Sequence, residues 1–495
     1  MDDSESDEAQ PTPSQVRASH ASDFLTPSWG TAWVVLLTVL AAVLRLLHLT
    51  GEGLTADEGF SVFLAQTSAT NFRHIVWNGE FNMALYYVVL RGWLHLGRSE
   101  FAIRLLSVLL GAATIPVLYC LGVRLFQRST ALIACLLLAV HPADLVLSEH
   151  ARSYPLVILL VAASSLLFLR LIEKPTSCDA ITYAVVSAAA VYSHFFALLI
   201  ITAQWLSLVF SPKRSLPWRK LLVSLLLLAV LLVPLGIFFL QKRPGGQVDW
   251  VTPLSRSQVE SVLYSLTLTK ERSLFYVALW AAAIWGGLRR RTKRSAWSYW
   301  FVTAWLFVPP AITIGVSLIK PLVMARFLAV CIPASVLLAG AGVSQMARWS
   351  RPLAAVWLLL ILFHSARGIQ YHIRNLKTAE DWRGASGYLV SHIEPGDLIV
   401  MEPYRRHTFD YYRETHQAVP QFLSSDSLSA PLPNPLPKTI WYMASVRFNP
   451  YWKSDKPGAA QNEVRAFTEA HRQSYCTVTL DSAFSPVEIW QFTRC

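Results

Sequence analysis

From residue 30 onward the chain alternates between long apolar runs and short polar or basic connections. The runs fall at 30–49, 101–126, 131–148, 154–172, 180–195, 196–211, 219–241, 273–289, 298–319, 326–346 and 352–369. Most approach the roughly 20 residues that a helix needs to cross about 30 Å of hydrocarbon, so the pattern predicts about 11 transmembrane helices. The stretch 83–96 (MALYYVVLRGWLHL) is apolar too, but it is short and carries Arg91 and His95. An interfacial helix along the bilayer suits it better than a span. After residue 370 the pattern changes. It predicts a helix at 380–392, a strand at 397–401, a helix at 406–416, a Pro-rich loop at 431–437, a strand at 439–444, a helix at 462–472 and strands at 475–481 and 487–493. Elements of this size and order suggest a small α/β domain. Residues 1–28, with Asp2, Asp3, Glu5, Asp7 and Glu8 among Pro, Ser and Gln, lack the apolar content for a core. They are expected to form a disordered cytoplasmic tail, and their acidic start is unlike a signal peptide.

The chain thus divides into a tail (1–28), a polytopic α-helical membrane domain (29–369) whose outer loop 50–100 carries interfacial helices, and an extracytoplasmic α/β domain (370–495). Composition strengthens this division. Of the 495 residues 54% are hydrophobic and only 15% charged, against about 25% charged in an average soluble domain. A soluble multidomain enzyme, a coiled coil, a collagen-like chain and a wholly disordered chain are excluded. The net charge of +12 comes largely from clusters between apolar runs: Arg124/Arg128, Arg170/Lys174, Lys213/Arg214/Arg219/Lys220, Arg289/Arg290/Arg291/Lys293/Arg294 and Arg348/Arg351. If each run crosses once, all of them share one side with the N-terminus. That is the positive-inside pattern, so the charge reports topology rather than a nucleic-acid partner. Outside lie the loop 50–100, the turn 149–153, the turn around His194, the loop 242–272, the turn 320–325 and everything after 370. No GxxxxGK[ST] stretch occurs, so an ATP-driven machine of the P-loop type is not indicated. The six cysteines show no metal-ligand spacing. Cys120, Cys135, Cys178 and Cys331 read as small buried hydrophobes, while Cys476 and Cys495 are able to pair if they lie outside the cell.

Several ionisable residues converge on the outer side. Asp57 and Glu58 follow the first span. Neighbouring positions on a helix diverge by about 100°, so one carboxylate can face a reaction centre while the other pairs with a cation or caps a helix. Taken alone they also read as solvated loop acids. In Ser148-Glu149-His150-Ala151-Arg152-Ser153-Tyr154-Pro155, Ser153 and Pro155 suit the start of the next helix. Its free N–H groups and Arg152 would receive an anion, unless Arg152 merely snorkels to lipid headgroups. His194, Lys320 and Arg326 come out on the same side. Arg45 and His48 read most simply as snorkelling residues, and His141 and Asp144 as belonging either to the cavity or to helix packing. One carboxylate and several cations under an outer domain fit sugar transfer from a lipid-linked phosphate donor. Cations hold the phosphate and a carboxylate acts as general base on an acceptor hydroxyl.

These residues resemble the GT-C superfold of integral-membrane glycosyltransferases. The nearest likeness is the protein-mannosyltransferase-like group that includes the aminoarabinose transferases of lipid A and the RgtA-to-D-like enzymes. The likeness rests on Asp57-Glu58; on Tyr86-Tyr87, Gly97 and Arg104-Leu105; on Ala151-Arg152-Ser153-Tyr154; on His194-Phe195-Phe196; on Arg326-Phe327-Leu328; and on Asp381-Trp382-Arg383-Gly384-Ala385. It spans nearly the whole chain. It implies a polyprenyl-phosphate-sugar donor, inversion at the anomeric carbon and Asp57 as base. Glu58 and His194 would then be supporting residues, and Arg152, Tyr154, Lys320 and Arg326 would bind the donor phosphate. Phe327 stands where the group usually has tyrosine, which removes a hydroxyl from the phosphate side. No cofactor is certain: a divalent ion at Asp57/Glu58 is possible, but no ligand spacing supports it.

The expectation is an inverting glycosyltransferase in the bacterial cytoplasmic membrane. It would move a sugar from a polyprenyl-phosphate donor to a hydroxyl of an envelope glycan, lipid or protein on the outer face. A lipid-linked-sugar flippase or transporter would share the cationic cavity but usually shows internal repeats, and none is visible. A non-catalytic envelope assembly protein would leave Asp57 dispensable.

Overall fold

The computed structural model describes residues 29–211, 216–241, 251–268, 272–290, 292–375, 380–413, 421–425, 432–445, 459–481, 484 and 487–495. The tail 1–28, the basic residues Lys213, Arg214 and Arg291, residues 242–250 and 269–271 of the loop 242–272 and the end of the helix expected at 406–416 lie outside them.

The chain begins with α1 (Trp29–Leu46), followed in the first connection by α2 (Ala56–Gln66), α3 (Ala69–Ile75), a π-turn (Val76–Glu80) and α4 (Ala84–Trp93). A helical bundle continues with α5 (Glu100–Leu125), α6 (Arg128–Ala139), α7 (Pro142–Glu149), α8 (Tyr154–Glu173), α9 (Ser177–Ser193), α10 (Ala197–Ser207), α11 (Trp218–Leu231) and α12 (Val233–Gln241). Next come α13 (Arg256–Leu266), α14 (Ser273–Leu288), α15 (Lys293–Ser317), α16 (Ile332–Trp349) and α17 (Arg351–Asn375). Six helices are long and apolar enough to cross a bilayer, and up to 8 spans result if α6 with α7 (bent 56°) and α11 with α12 (bent 45°) each count as one. Pro142 opens α7 and Pro234 sits near the start of α12. Proline removes a donor and clashes with the preceding turn, which explains why these runs break. The remaining expected spans are the shorter helices α9, α10 and α14. At 1.5 Å per residue, the 17 residues of α9 reach less far than a hydrocarbon core.

Helix α16 is buried on nearly every side. Its approach to α14 is so close that a Cβ at Gly342 would lie 2.1 Å from the Leu279 carbonyl oxygen. Small residues permit such backbone contact where no hydrophobic driving force separates helix from lipid. Peripheral helices instead keep one buried stripe, as in Val34, Leu37, Ala41 and Arg45 of α1, and turn Trp33, Leu36 and Val43 outward. The bundle has two distinct ends. Arg124 closes α5 and pairs with Glu173 closing α8 at 2.7 Å. The opposite ends of the same helices carry Arg104 and Tyr154. Helix α4, in the stretch expected to be interfacial, is only 10 residues long and buries Tyr86, Tyr87 and Leu90.

After α17 the chain builds a five-stranded sheet in the order β2-β1-β3-β5-β4, from β1 (Leu398–Met401), β2 (Gln421–Ser424), β3 (Thr439–Ser445), β4 (Tyr475–Asp481) and β5 (Val487–Arg494). β1 runs parallel to β2 and β3, while β5 is antiparallel to β3 and β4. The period of two along a strand sends Ile399 and Met401 against α18 (Trp382–His392) and α19 (Pro403–Arg413). Leu398 and Val400 face α20 (Ala459–His471) on the other side. β1 is therefore apolar throughout, as a strand covered on both faces must be. β2 had no signal strong enough to be foreseen. Cys476 and Cys495 form a disulfide between β4 and the end of β5.

Three readings from the sequence need correction. Arg45 does not snorkel: it is fully buried and donates to Asp144 at 2.5 Å and to the carbonyl of Ala41 at 2.8 Å. Its place on the buried stripe of α1 points it into the bundle, where only a carboxylate can balance it, which also assigns Asp144 to helix packing. Cys120 and Cys178 are exposed rather than buried, because their helices turn those positions outward. Ser153 precedes α8 but makes no side-chain cap.

Removing one partner of a buried ion pair leaves an uncompensated charge and costs about 3–5 kcal/mol, whereas replacing both with apolar residues is often neutral. Arg45→Met should therefore lower the unfolding temperature of the detergent-solubilised protein sharply. The double variant Arg45→Met/Asp144→Leu should recover most of the loss.

Candidate active site

The site starts from a helix cap. Thr55 accepts a hydrogen bond from the backbone N–H of Glu58, and the Glu58 carboxylate accepts one from the backbone N–H of Thr55 at 3.0 Å. This reciprocal capping box fixes the first turn of α2. Glu58 also receives a two-pronged ion pair from Arg104, Nε to Oε1 and Nη2 to Oε2, both at 2.8 Å. The backbone N–H of Ala151 adds a further bond at 2.9 Å. The remaining Arg104 donors reach the carbonyls of Leu49, Glu52 and Gly53 at 2.8–2.9 Å. Burial alone would raise the Glu58 pKa, but the charge of Arg104 and its hydrogen bond outweigh burial and leave it at about 2. Glu58 is a permanent anion that ties α2, α5 and the 150–153 turn together. With its oxygens committed in this way, Glu58 holds the local fold together. No group of three or more His, Cys, Asp or Glu suited to a metal occurs among the described residues.

Asp57, one position earlier, points the other way. Its side chain is 24% exposed, against 0% for Glu58, so it is the member of the pair that solvent or a ligand can reach. Its Oδ2 accepts from Arg326 Nη1 at 3.0 Å, and its Oδ1 accepts from the Tyr404 hydroxyl at 2.9 Å. Arg152 spans α2 from the side. Its Nη1 donates to the Asp57 carbonyl at 3.2 Å and to Ser61 Oγ at 3.3 Å, and its Nη2 lies 4.0 Å from Asp57 Oδ2. Two guanidinium groups thus flank one carboxylate. Glu80 accepts from Tyr87 at 3.1 Å. Burial raises the Glu80 pKa over the opposing pull of Arg152 and the Tyr87 hydrogen bond, with the charge of Asp57 adding to the rise.

Three of the other expected residues line this region less directly. His194 is buried. It packs its ring 5.9 Å from Tyr154 and 5.1 Å from Phe327, with its Nε2 3.5 Å from the Asn82 amide. The Tyr154 hydroxyl is buried with no hydrogen-bond partner among the described residues. Lys320 lies half-buried in the turn leading to Arg326. Phe327 packs between His194 and Phe196, an apolar place where a tyrosine hydroxyl would need a partner.

The sequence reading missed Glu80 and Tyr404. Glu80 carried no local signal, being a single acid in a polar connection. Tyr404 comes from a different domain, about 350 positions from Asp57 (404 − 57 = 347), beyond any spacing rule. The Thr55-x-x-Glu58 box, by contrast, was legible and would have separated the roles of the two acids.

His150 Nε2 contacts Glu52 at 3.2 Å. Burial alone would lower the imidazole's pKa, but the hydrogen bond to Glu52 and the charges of Glu58 and Glu52 lift it from 6.5 to about 9. A raised folded-state pKa gives stability that is complete below the unfolded value and lost as pH rises through the folded one. The unfolding temperature in detergent should therefore fall between about pH 6.5 and 9, and His150→Gln should flatten that slope. An equal slope in both proteins would refute the assignment.

With this geometry in hand, the likenesses to known proteins are informative. Residues 83–239 match the dolichyl-phosphate-mannose-protein mannosyltransferase family. No curated protein matches the chain by sequence. Among solved structures, ArnT from Cupriavidus metallidurans in the apo state superposes with a TM-score of 0.62 at 14% identity, covering 94% of this chain and 98% of that one. The same protein bound to undecaprenyl phosphate gives 0.60 at 14% identity, over 93% and 98%. The Archaeoglobus fulgidus oligosaccharyltransferase tethered with an acceptor peptide gives 0.55 at 11% identity, over 96% of this chain and 75% of that one. The protein is a multi-pass membrane protein with the GT-C glycosyltransferase fold, and its stretch 83–239 matches the mannosyltransferase family of that fold.

Proposed function

We propose that the protein is an inverting glycosyltransferase that moves a sugar from a polyprenyl-phosphate donor to a hydroxyl of an envelope glycan, lipid or protein. The observation that carries this reading is the partly exposed Asp57 carboxylate set between Arg326 and Arg152. The donor phosphate would exchange for part of the Asp57 contact with these arginines, with Lys320, Tyr154 and the N-terminus of α8 alongside. Asp57 would take the proton of the acceptor hydroxyl as its oxygen bonds to the anomeric carbon. The carbon–oxygen bond to phosphate breaks, and the lipid phosphate leaves with the electron pair. Attack opposite the leaving group inverts the centre. Fixed guanidinium charges stabilise the growing phosphate charge most effectively in a site shielded from water. The binding of undecaprenyl phosphate by the structurally similar ArnT supports a donor of this class. The site would face the outer side of a bacterial cytoplasmic membrane, with the N-terminus inside and the sheet domain outside.

The test is label transfer in vesicles holding the full chain, supplied with a panel of radiolabelled undecaprenyl-phosphate hexoses and pentoses and a host envelope extract. Asp57→Asn should reduce transfer by about 10³-fold or more, within the range expected for loss of a general base and charge partner together, while membrane insertion stays normal. Arg152→Ala should raise the donor KM more than it lowers kcat. Undiminished transfer by Asp57→Asn removes the base assignment, and lipid movement across the bilayer without transfer favours a flippase.

A further inference from the structure

Helix α19 follows β1 out of the sheet and lies on the first turns of α2. Positions 404, 408 and 412 recur every four residues and so share one helix face. Each meets the first connection. Besides the Tyr404–Asp57 bond, Thr408 Oγ1 donates to the Thr55 carbonyl at 3.3 Å. The Tyr412 hydroxyl accepts from the backbone N–H of Leu54 at 2.6 Å and donates to Glu100 at 2.5 Å. Arg383, opening α18, also pairs with Glu100. Aromatic rings close the seam: Phe60 stacks on Tyr404 at 4.9 Å and Phe63 on His407 at 3.8 Å. The approach depends on Gly59, because a Cβ there would lie 2.0 Å from Thr408 Oγ1 and 2.6 Å from its Cα. Backbone this near cannot be relieved by turning a side chain.

This seam is too closely keyed to be an incidental contact between domains, and its polar tip reaches the carboxylate to which the reaction is assigned. We infer that the C-terminal domain is a working part of the transfer site, with Tyr404 a positioning residue that fixes the Asp57 carboxylate. The inference rests on the reading of Asp57 as base. Arg326 on Oδ2 and Tyr404 on Oδ1 pin both ends of a group that would otherwise swing about its last torsion. Fixing both oxygens sets the plane of the carboxylate, and with it the direction from which an acceptor hydroxyl can approach. Holding reacting atoms in such a geometry is worth several orders of magnitude in rate. The phenol keeps its proton: burial, then the charge of Asp57, hold its pKa well above the ordinary value. A donor facing the charged form of a carboxylate favours that form, so Tyr404 also keeps the base ready to accept a proton.

The experiment uses the same vesicles, donor panel and envelope extract, with kcat, donor KM and the pH dependence of kcat measured for each variant. Tyr404→Phe keeps the ring that stacks on Phe60 and removes only the hydroxyl. It should lower kcat about tenfold, leave donor KM within about twofold and move the acid limb of the kcat profile to higher pH. Gly59→Ala, which forces α19 away from α2, should produce the same pair of changes with an intact Tyr404. Wild-type kcat in Tyr404→Phe, or a loss of kcat with the acid limb unmoved, overturns the positioning role. Transfer retained in Asp57→Asn fells the base assignment itself. An inactive Asp57→Asn alongside an unchanged Tyr404→Phe fells only the role given to Tyr404.

Discussion

The buried ion pair between Glu58 and Arg104 is the constraint on which the site depends. All five N–H donors of Arg104 are used, two on Glu58 and three on carbonyls of residues 49–53. One guanidinium thereby sets the exit of α1, the start of α2 and the start of α5. A charge at this depth persists only when paired and hydrogen-bonded, and the geometry allows little variation. Because Glu58 is locked, the helix turn it caps is locked, and Asp57 is aimed outward by the 100° step between neighbours. Two chemically similar acids acquire opposite roles from one helical turn.

The surrounding bundle supplies rigidity rather than chemistry. Gly342 lets α16 press on the backbone of α14, and Arg45 with Asp144 adds a second internal ion pair. The helix termini that carry Asp57, Arg152, His194 and Arg326 therefore stand on a packed base. His372 near the end of α17 reaches Glu149 at 2.7 Å, which fastens the helix leading into the sheet domain to the same turn that bears Arg152. The site is bounded by elements from both domains, and the α2–α19 seam is where they meet.

Much of the sheet domain was legible because its signals are local. The strand expected at 397–401 is found at Leu398–Met401, and the helices expected at 380–392 and 462–472 at Trp382–His392 and Ala459–His471. β2 was missed because its four residues pair only on one edge of the sheet, and a short edge strand carries little pattern of its own. Arg45 was misread for a related reason. A basic residue near the end of a span looks the same in sequence whether it reaches for headgroups or for a buried carboxylate 99 positions away.

The sequence by itself determined the membrane architecture, the grouping of ionisable residues at one set of helix ends, and the presence of an α/β domain after the last span. Hydrophobic length, charge clustering and strand alternation are properties of consecutive residues, and no partner is needed to read them. Only the tertiary structure decided which acid is locked and which is open, that Arg45 turns inward, and that Tyr404 reaches Asp57. Those outcomes depend on distances between residues brought together by packing, and the strength of a charge or hydrogen bond is set by that separation and by how much water the fold excludes.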